Sequence, residues 1–455
     1  MGTGLLAETA EEPLVFETGE EVLVRHMDIQ KVYLAQPEED AIYEIYDREE
    51  NSVPSFSLFQ KEGENLQVHC LYCCFDQSLK TGTAVAKLSW KSARGKAWDE
   101  ALRIALSDTS RIRISYGTAE GYQDVRGMKI EEDGLCFILE GGEAGIAPQE
   151  EFESMYVIRL EVADTGFFSG ISLSDLRLSV SASNLAPDLV HVDGTDEEKK
   201  DNVLVFGESP AVYNEFYLVS EEVLGKAGAD IRLEFDLNFI KIPLEDILST
   251  TPIQWKMIMR KQTFVPDKEY DITTRQVVWE YFNGYGWTRL KVPTSCQTIF
   301  TPDDSGKGRR IRMEFTCPDD IRPTLVNSTQ SFCIRARILK MNNAFKLKGS
   351  YVVPVAGQFF FSYDYATNPL SPAMVFRQNN MEMQRIDRDA LRRDGYSFRL
   401  CDALPDQRAA CYLGFEEPLT GGPLRMLFVL KDAACEVMPG LTWEYMGKKD
   451  FREYI

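Results

Sequence analysis

One pattern that occurs three times limits what this chain can fold into more than any other feature. Leu71-Tyr72-Cys73-Cys74-Phe75-Asp76-Gln77-Ser78-Leu79 is followed by Lys80-Thr81-Gly82 and the alternating run Ala84 to Trp90. Phe216-Tyr217-Leu218-Val219-Ser220-Glu221-Glu222-Val223-Leu224 leads through Gly225 and Gly228 into Ile231 to Leu237. Cys411-Tyr412-Leu413-Gly414-Phe415-Glu416-Glu417-Pro418-Leu419 leads through Thr420-Gly421-Gly422 into Leu424 to Leu430. Each copy reads as aromatic strand, acidic residue, leucine, glycine-containing turn and second strand, and the spacing from Tyr72 to Trp90, Tyr217 to Phe235 and Tyr412 to Leu430 is 18 residues each time. A fixed spacing with period-two apolar patterning is the signature of a repeated β unit, not of a helical solenoid. Strand-like runs also precede the copies, at Phe56 to Phe59, Val203 to Phe206 and Tyr396 to Leu400.

Two further elements recur downstream. Val278-Trp279-Glu280-Tyr281-Phe282-Asn283-Gly284-Tyr285-Gly286-Trp287 predicts two strands joined by a tight Asn-Gly turn with positive φ at both central residues. Leu441-Thr442-Trp443-Glu444-Tyr445 starts the same element again, and Ile112 to Tyr122 is a degenerate counterpart. Met155 to Glu161 and Ser331 to Ile338 alternate as closing strands. The third unit stops before this element, so the sequence is expected to be a fragment of a longer chain.

The expected fold is mainly β, as tandem antiparallel β-sandwich-like repeat domains with a short helical connector. Residues 1–50 form an opening segment with the strand-like run Pro13 to Thr18, 51–190 the first unit, 191–365 the second, and 366–455 the connector with a partial third. His191 to Asp201 reads as a solvated linker. Within the connector, Met381 to Arg393 is predicted helical, because Met383, Ile386, Ala390 and Leu391 share one face and Arg385, Arg388 and Arg392 another.

Charge and cysteine content narrow the function. The chain carries 50 Lys and Arg against 71 Asp and Glu, a net −21, which disfavours a nucleic-acid partner. No run approaches the roughly 20 apolar residues of a membrane span, and Met1 to Glu12 lacks the pattern of a secretory signal, so the expected location is cytoplasmic. Ten cysteines in 455 residues are too sparse for a disulfide scaffold and read as reduced core thiols.

None of the chemical motifs is complete. His26, His69 and His191 stand in no metal-binding spacing, and each is assigned a surface or packing role. The cluster His69, Cys70, Cys73, Cys74 lacks a second pair of ligands, and strand alternation sends Cys70, Tyr72 and Cys74 to one face and Leu71, Cys73 and Phe75 to the other. Asp193 to Glu198 lacks the ligand pattern of a calcium loop. The carboxylate pairs Glu416–Glu417 and Asp319–Asp320 read as solvated turns. No catalytic, cofactor or metal site is expected, and an enzyme is disfavoured.

The residues Asn214 to Glu222 with Gly225-Lys226-Ala227-Gly228-Ala229, the Trp279-Glu280-Tyr281 to Trp287 hairpin, and Tyr412 to Leu419 with Gly421-Gly422-Pro423-Leu424 resemble baseplate J-like wedge proteins. These are the large baseplate assembly proteins of phage-tail-like contractile injection systems. Phe16-Glu17-Thr18 is similar to a strand that opens this region in the family. The first unit departs most, with Cys73-Cys74-Phe75-Asp76 where the family has Leu-Gly-Phe-Asp. The resemblance implies a structural role linking hub to sheath, partners among baseplate, hub and sheath proteins, a multi-copy ring, and assembly in the cytoplasm into a tail-like particle. A carbohydrate-binding or adhesin-like repeat protein using exposed Trp and Tyr is the alternative. In an acidic chain a docking surface is expected where the charge reverses, and Arg385, Arg388, Arg392 and Arg393 are the candidate interface. The competing reading pairs them with Asp387, Asp389 and Asp394 on a solvated helix.

Overall fold

The structure is a computed structural model that describes residues 28–38, 40–50, 65–92, 96–132, 134–141, 145–163, 170–192, 202–243, 269–303, 307–344, 349–380, 382–402 and 408–418, with short stretches at 4–7, 14–17, 440–446 and 451–453 and isolated residues between. Strand accounts for 57% of it and helix for 7%, which makes the protein mainly β. The opening segment holds β1 (Gly4–Ala7), β2 (Leu14–Glu17), β3 (Ile29–Gln36) and β4 (Ala41–Asp47). The first unit holds β5 (His69–Phe75), β6 (Thr83–Ser92), a helix at Lys96–Leu106, β7 (Ile112–Thr118), β8 (Gly121–Asp124), β9 (Arg126–Glu131), β10 (Gly134–Glu140), β11 (Tyr156–Val162) and β12 (Ser172–Leu185). After β13 (Leu189–Val192) come β14 (Val203–Leu204), β15 (Glu215–Val219), a short helix at Glu221–Leu224, β16 (Asp230–Pro243), β17 (Tyr270–Phe282), β18 (Trp287–Arg289), β19 (Arg309–Thr316), β20 (Thr324–Val326), β21 (Thr329–Ser331), β22 (Cys333–Asn342) and β23 (Gly349–Asp364). The connector supplies β24 (Met374–Asn379), β25 (Glu382–Asp387), one helical turn at Arg388–Leu391 and β26 (Phe398–Arg399); β27 (Ala410–Phe415), β28 (Glu444–Met446) and β29 (Phe451–Glu453) follow.

These elements fall into two compact bodies, a larger one of 35–43 with 64–410 and a smaller one of 1–34, 44–63 and 411–455. In the larger body, β11 lies between β5 and β7, with β8 beyond β7. Likewise β22 lies between β15 and β17, with β18 beyond β17. A second layer places β6 between β10 and β12 in the first unit and β16 between β19 and β23 in the second. Strand alternation explains the layering: on β16, Ile231, Leu233, Phe235 and Leu237 are buried while Arg232 and Asp236 are exposed. Residues from both layers share one apolar core, including Leu71, Ile158 and Ile114 with Leu88, Leu135 and Leu178. At about 1.5–3 kcal/mol for each large apolar side chain buried, this core is the main stabilising term.

The chain crosses over twice between the units. Leaving the first unit at β12, it runs into β13, which pairs antiparallel with β15 of the second. Leaving the second unit at β23, it runs into β24, which pairs antiparallel with β5 of the first. β14 then lies against β23, and β26 against β12. β12 and β23 pair with each other through Ser181↔Asp364 and Ala182↔Tyr363, so the second layer is continuous through both units.

Three expectations are corrected. Residues 382–387 form strand β25, not helix; only the turn Arg388–Leu391 is helical. Asn380, at φ 53, turns β24 back into β25 as an antiparallel hairpin, and the main-chain pairing so formed outweighs a weak helical face on which Ile386 alone is buried. The Asn283-Gly284 turn is a four-residue loop: Gly284 alone has positive φ, at 93°, and the Asn283 side chain accepts the Tyr285 and Gly286 N–H groups at 3.0 Å each. His191 and Val192 belong to β13, not to a linker. Residues 193–201, including the calcium-loop-like run, lie outside the described residues, as do His26 and most of the Phe56 to Phe59 run.

The Tyr412 strand β27 joins a three-stranded sheet with β3 and β4, and β1–β2 and β28–β29 form two-stranded sheets.

Candidate functional site

The shared strand order brings one arginine in each unit to a comparable place. Arg335 of β22 stands opposite Tyr217 on one side and Glu280 on the other. Arg159 of β11 stands opposite Tyr72 and Ser115. The guanidinium of Arg335 lies 3.8 Å over the ring of Trp287, and that of Arg159 lies 4.4 Å over Tyr122. Those rings sit 5.8 Å from Tyr217 and 6.2 Å from Tyr72.

Around Arg335 the charges are paired, Arg335 and Glu280 buried and Glu215 and Arg337 half-buried. Its Nη2 is 2.8 Å from Glu280 Oε2 and its Nη1 is 2.7 Å from Glu215 Oε1, while Arg337 Nη2 reaches Glu280 Oε1 at 2.6 Å. Burial pushes the Glu280 carboxyl upward, but hydrogen bonds from Arg337 and the charges of both arginines outweigh it, leaving the group below its ordinary value. Around Arg159 the partners are neutral or exposed: Nε donates to Ser115 Oγ at 3.0 Å, and Nη2 meets Glu161 at 3.2 Å.

A second cluster fastens the units together. Lys226 is fully buried, and its Nζ donates to the carbonyls of Ser78, at 2.9 Å, and Lys80, with the Tyr363 ring 5.4 Å away. Desolvation pulls this lysine down to about 7, against the opposing pull of Glu222. Glu222 accepts from Thr81 Oγ1 at 2.6 Å, Gly82 N at 3.0 Å and Tyr363 Oη at 3.3 Å.

The four connector arginines divide into two pairs. Arg385 binds Glu153 at 2.5 Å and Asp387 at 2.6 Å, and Arg388 binds Asp76 at 2.5 Å, so both are committed to ion pairs within the chain. Arg392 and Arg393 are exposed.

The cysteine cluster separates by face: Leu71, Cys73 and Phe75 enter the main core, whereas Cys70, Tyr72 and Cys74 pack with Phe152 and Met374. Burial pushes the Cys74 thiol up to about 12. His69 is buried, with Nδ1 2.9 Å from Asn379 Oδ1 and Nε2 2.8 Å from Gln67 Oε1, a packing role between strands. Trp279 is buried with Nε1 donating to the Cys296 carbonyl at 3.2 Å, and Trp287 is half-buried beneath Arg335. Among the described residues no group of three metal-binding side chains comes together, and no helix is long and apolar enough to cross a membrane.

In the sequence Arg159 and Arg335 read only as strand residues, and nothing there marks Lys226 as buried. Also missed was a shared segment, Leu185-Ala186-Pro187-Asp188-Leu189-Val190-His191 and Leu370-Ser371-Pro372-Ala373-Met374-Val375-Phe376, whose Leu-x-Pro-x-apolar-Val pattern was the available signal. No protein-family model matches this chain, and no curated protein matches it in sequence.

Proposed function

We propose that the chain is a structural part of a baseplate wedge in a contractile, phage-tail-like injection system, and that its first two units are copies of one sandwich-like repeat. The observation that carries the repeat is register. Tyr72 and Tyr217 each face an arginine on the next strand, Tyr116 and Tyr281 follow that arginine's other neighbour, and Tyr122 and Trp287 lie under it. Independent folds have no reason to place these residues alike.

A wedge that links hub and sheath has to pass motion on without deforming. The pairing of β12 with β23, the crossed connectors and the Lys226 and Glu222 hydrogen bonds join the units through main chain as well as side chain, which suits that task. The wedge assignment itself rests on the resemblance of the Tyr217, Trp279 and Tyr412 elements to the family. A glycan-binding role has less to draw on, because Trp279 is buried and Arg335 occupies one face of Trp287.

On this reading the subunit assembles in the cytoplasm into a multi-copy ring with baseplate, hub and sheath proteins. Deleting the gene abolishes or misassembles particles, and the protein co-purifies with sheath and tube; normal contractile particles from the deletion strain would contradict the assignment. Of the candidate interface, Arg385 and Arg388 hold the connector against the first unit, leaving Arg392 and Arg393 to dock. Arg392→Glu with Arg393→Glu leaves the isolated protein folded and weakens incorporation into particles in a salt-sensitive way. Unchanged incorporation across ionic strength would remove the connector from the interface.

A further inference from the structure

The outer edges of β5 and β15 receive their strands in the same register. β24 meets β5 through Met374↔Cys74, Val375↔Cys73 and Phe376↔Tyr72. β13 meets β15 through Leu189↔Val219, Val190↔Leu218 and His191↔Tyr217. The flanking hydrogen bonds match as well: Ala373 N donates to Cys74 O at 2.8 Å, and Asp188 N donates to Val219 O at 2.9 Å. In both arms the residue before that donor is a proline, Pro372 or Pro187, and the central valine, Val375 or Val190, is buried in the main core. Neither arm belongs to the unit that precedes it in the chain; each crosses to the other unit.

We infer that the outer edge of the Tyr strand is a peptide-binding site, used twice, whose ligand is an extended segment of the form Leu-x-Pro-x-apolar-Val. This rests on reading the two units as copies of one repeat. Main-chain hydrogen bonds to the edge hold the segment, and burial of the apolar residue and the valine selects it, which is the division of labour in β-strand addition. Proline fixes the start: it has no N–H to pair, and it holds the chain extended as it enters the edge. A tethered arm competes at an effective concentration in the millimolar range, so the native chain excludes added peptide.

The test uses the full chain and two synthetic peptides, one spanning 370–379 and one spanning 185–192, followed by fluorescence anisotropy. The native chain binds neither. Val375→Asp releases the β24 arm, and the variant binds both peptides saturably and competitively at one site. A folded Val375→Asp chain that binds neither peptide overturns the inference, and binding of the 370–379 peptide alone overturns the claim that one site is used twice. Should Val375→Asp lose its cooperative melt, Val375→Ala weakens the arm without placing a charge in the core. Millimolar peptide then raises its Tm by several degrees, through preferential binding to the folded state. No rise with either peptide overturns the inference. Hydrogen exchange that protects 374–379 and 189–192 alike in the native chain, alongside failed peptide binding, would sink this inference and leave the repeat standing.

Discussion

Arg159 and Arg335 hold matching places in the first and second units, yet their surroundings diverge. Arg335 sits between Glu280 and Glu215 with a side chain 10% exposed, whereas Arg159 has the neutral Ser115 on one side and Glu161, 41% exposed, beside it. At both Tyr72 and Tyr217 the register is set by strand alternation over the core below. The polar groups around the two arginines differ, while each guanidinium has a partner and an aromatic ring beneath it. Strand length diverges too. β17 runs 13 residues against 7 for β7, and its extra residues Tyr270 to Thr273 pair in parallel with Gly349 to Val352 of β23. In the first unit a helix, Lys96–Leu106, precedes β7, and the two layers stay in separate sheets.

The difference in burial predicts a difference in fragility. Glu280→Ala removes the carboxylate shared by Arg335 and Arg337, leaving Arg335 with Glu215, and costs about 3 kcal/mol, by analogy with breaking a buried ion pair, while Ser115→Ala costs about 1 kcal/mol. Urea denaturation of both variants measures this, and equal losses would mean that the buried ion pair adds nothing over the neutral partner. Lys226→Met removes the donor from the Ser78 and Lys80 carbonyls and costs about 1–3 kcal/mol. It also removes a pH dependence. The folded lysine binds its proton less tightly than the unfolded one, so native stability rises between about pH 7 and the ordinary lysine value of 10.5. The Lys226→Met chain should show a flatter profile, and an unchanged slope would place that proton elsewhere.

Glu280 acts in the same sense, stability falling as pH falls, but in the acid range. The Glu280 carboxyl is depressed in the folded state, so its contribution is present above the ordinary glutamate value of 4.5 and is lost as pH falls through the folded value. Hydrogen exchange near pH 4 should therefore loosen β17 and β22 before β7 and β11, and simultaneous loosening would blunt the contrast. The smallest effect is at the connector: Arg388→Ala removes a partly exposed pair with Asp76 and costs at most about 1 kcal/mol in a thermal melt.

Much of the β architecture was legible because its signals are local. Alternation in Leu71 to Phe75 and Ile231 to Leu237 located strands with buried faces, and the Tyr156 to Glu161 run marked a closing strand. The connector was not legible. On β25 every residue but Ile386 is exposed, so its alternation is nearly silent, while Met383, Ile386, Ala390 and Leu391 happen to fall on one helical face. What makes it a strand is β24, and what makes β24 a strand is β5, about 300 residues earlier in sequence, a contact that local pattern does not encode. Lys226 was overlooked for a similar reason. A lysine in a glycine-flanked turn reads as exposed until the Ser78 and Lys80 carbonyls of the other unit are brought to it.

The proposed pair of repeat units, each completed by a strand crossing from the other, can be checked by native-state hydrogen exchange across the full chain. Segments 374–379 and 189–192 should exchange slowly and to similar extents, and Val375→Ala should speed exchange in 374–379 and 69–75 while leaving 189–192 unchanged. Exchange of 374–379 at the rate of an unstructured chain while 189–192 stays protected would contradict it.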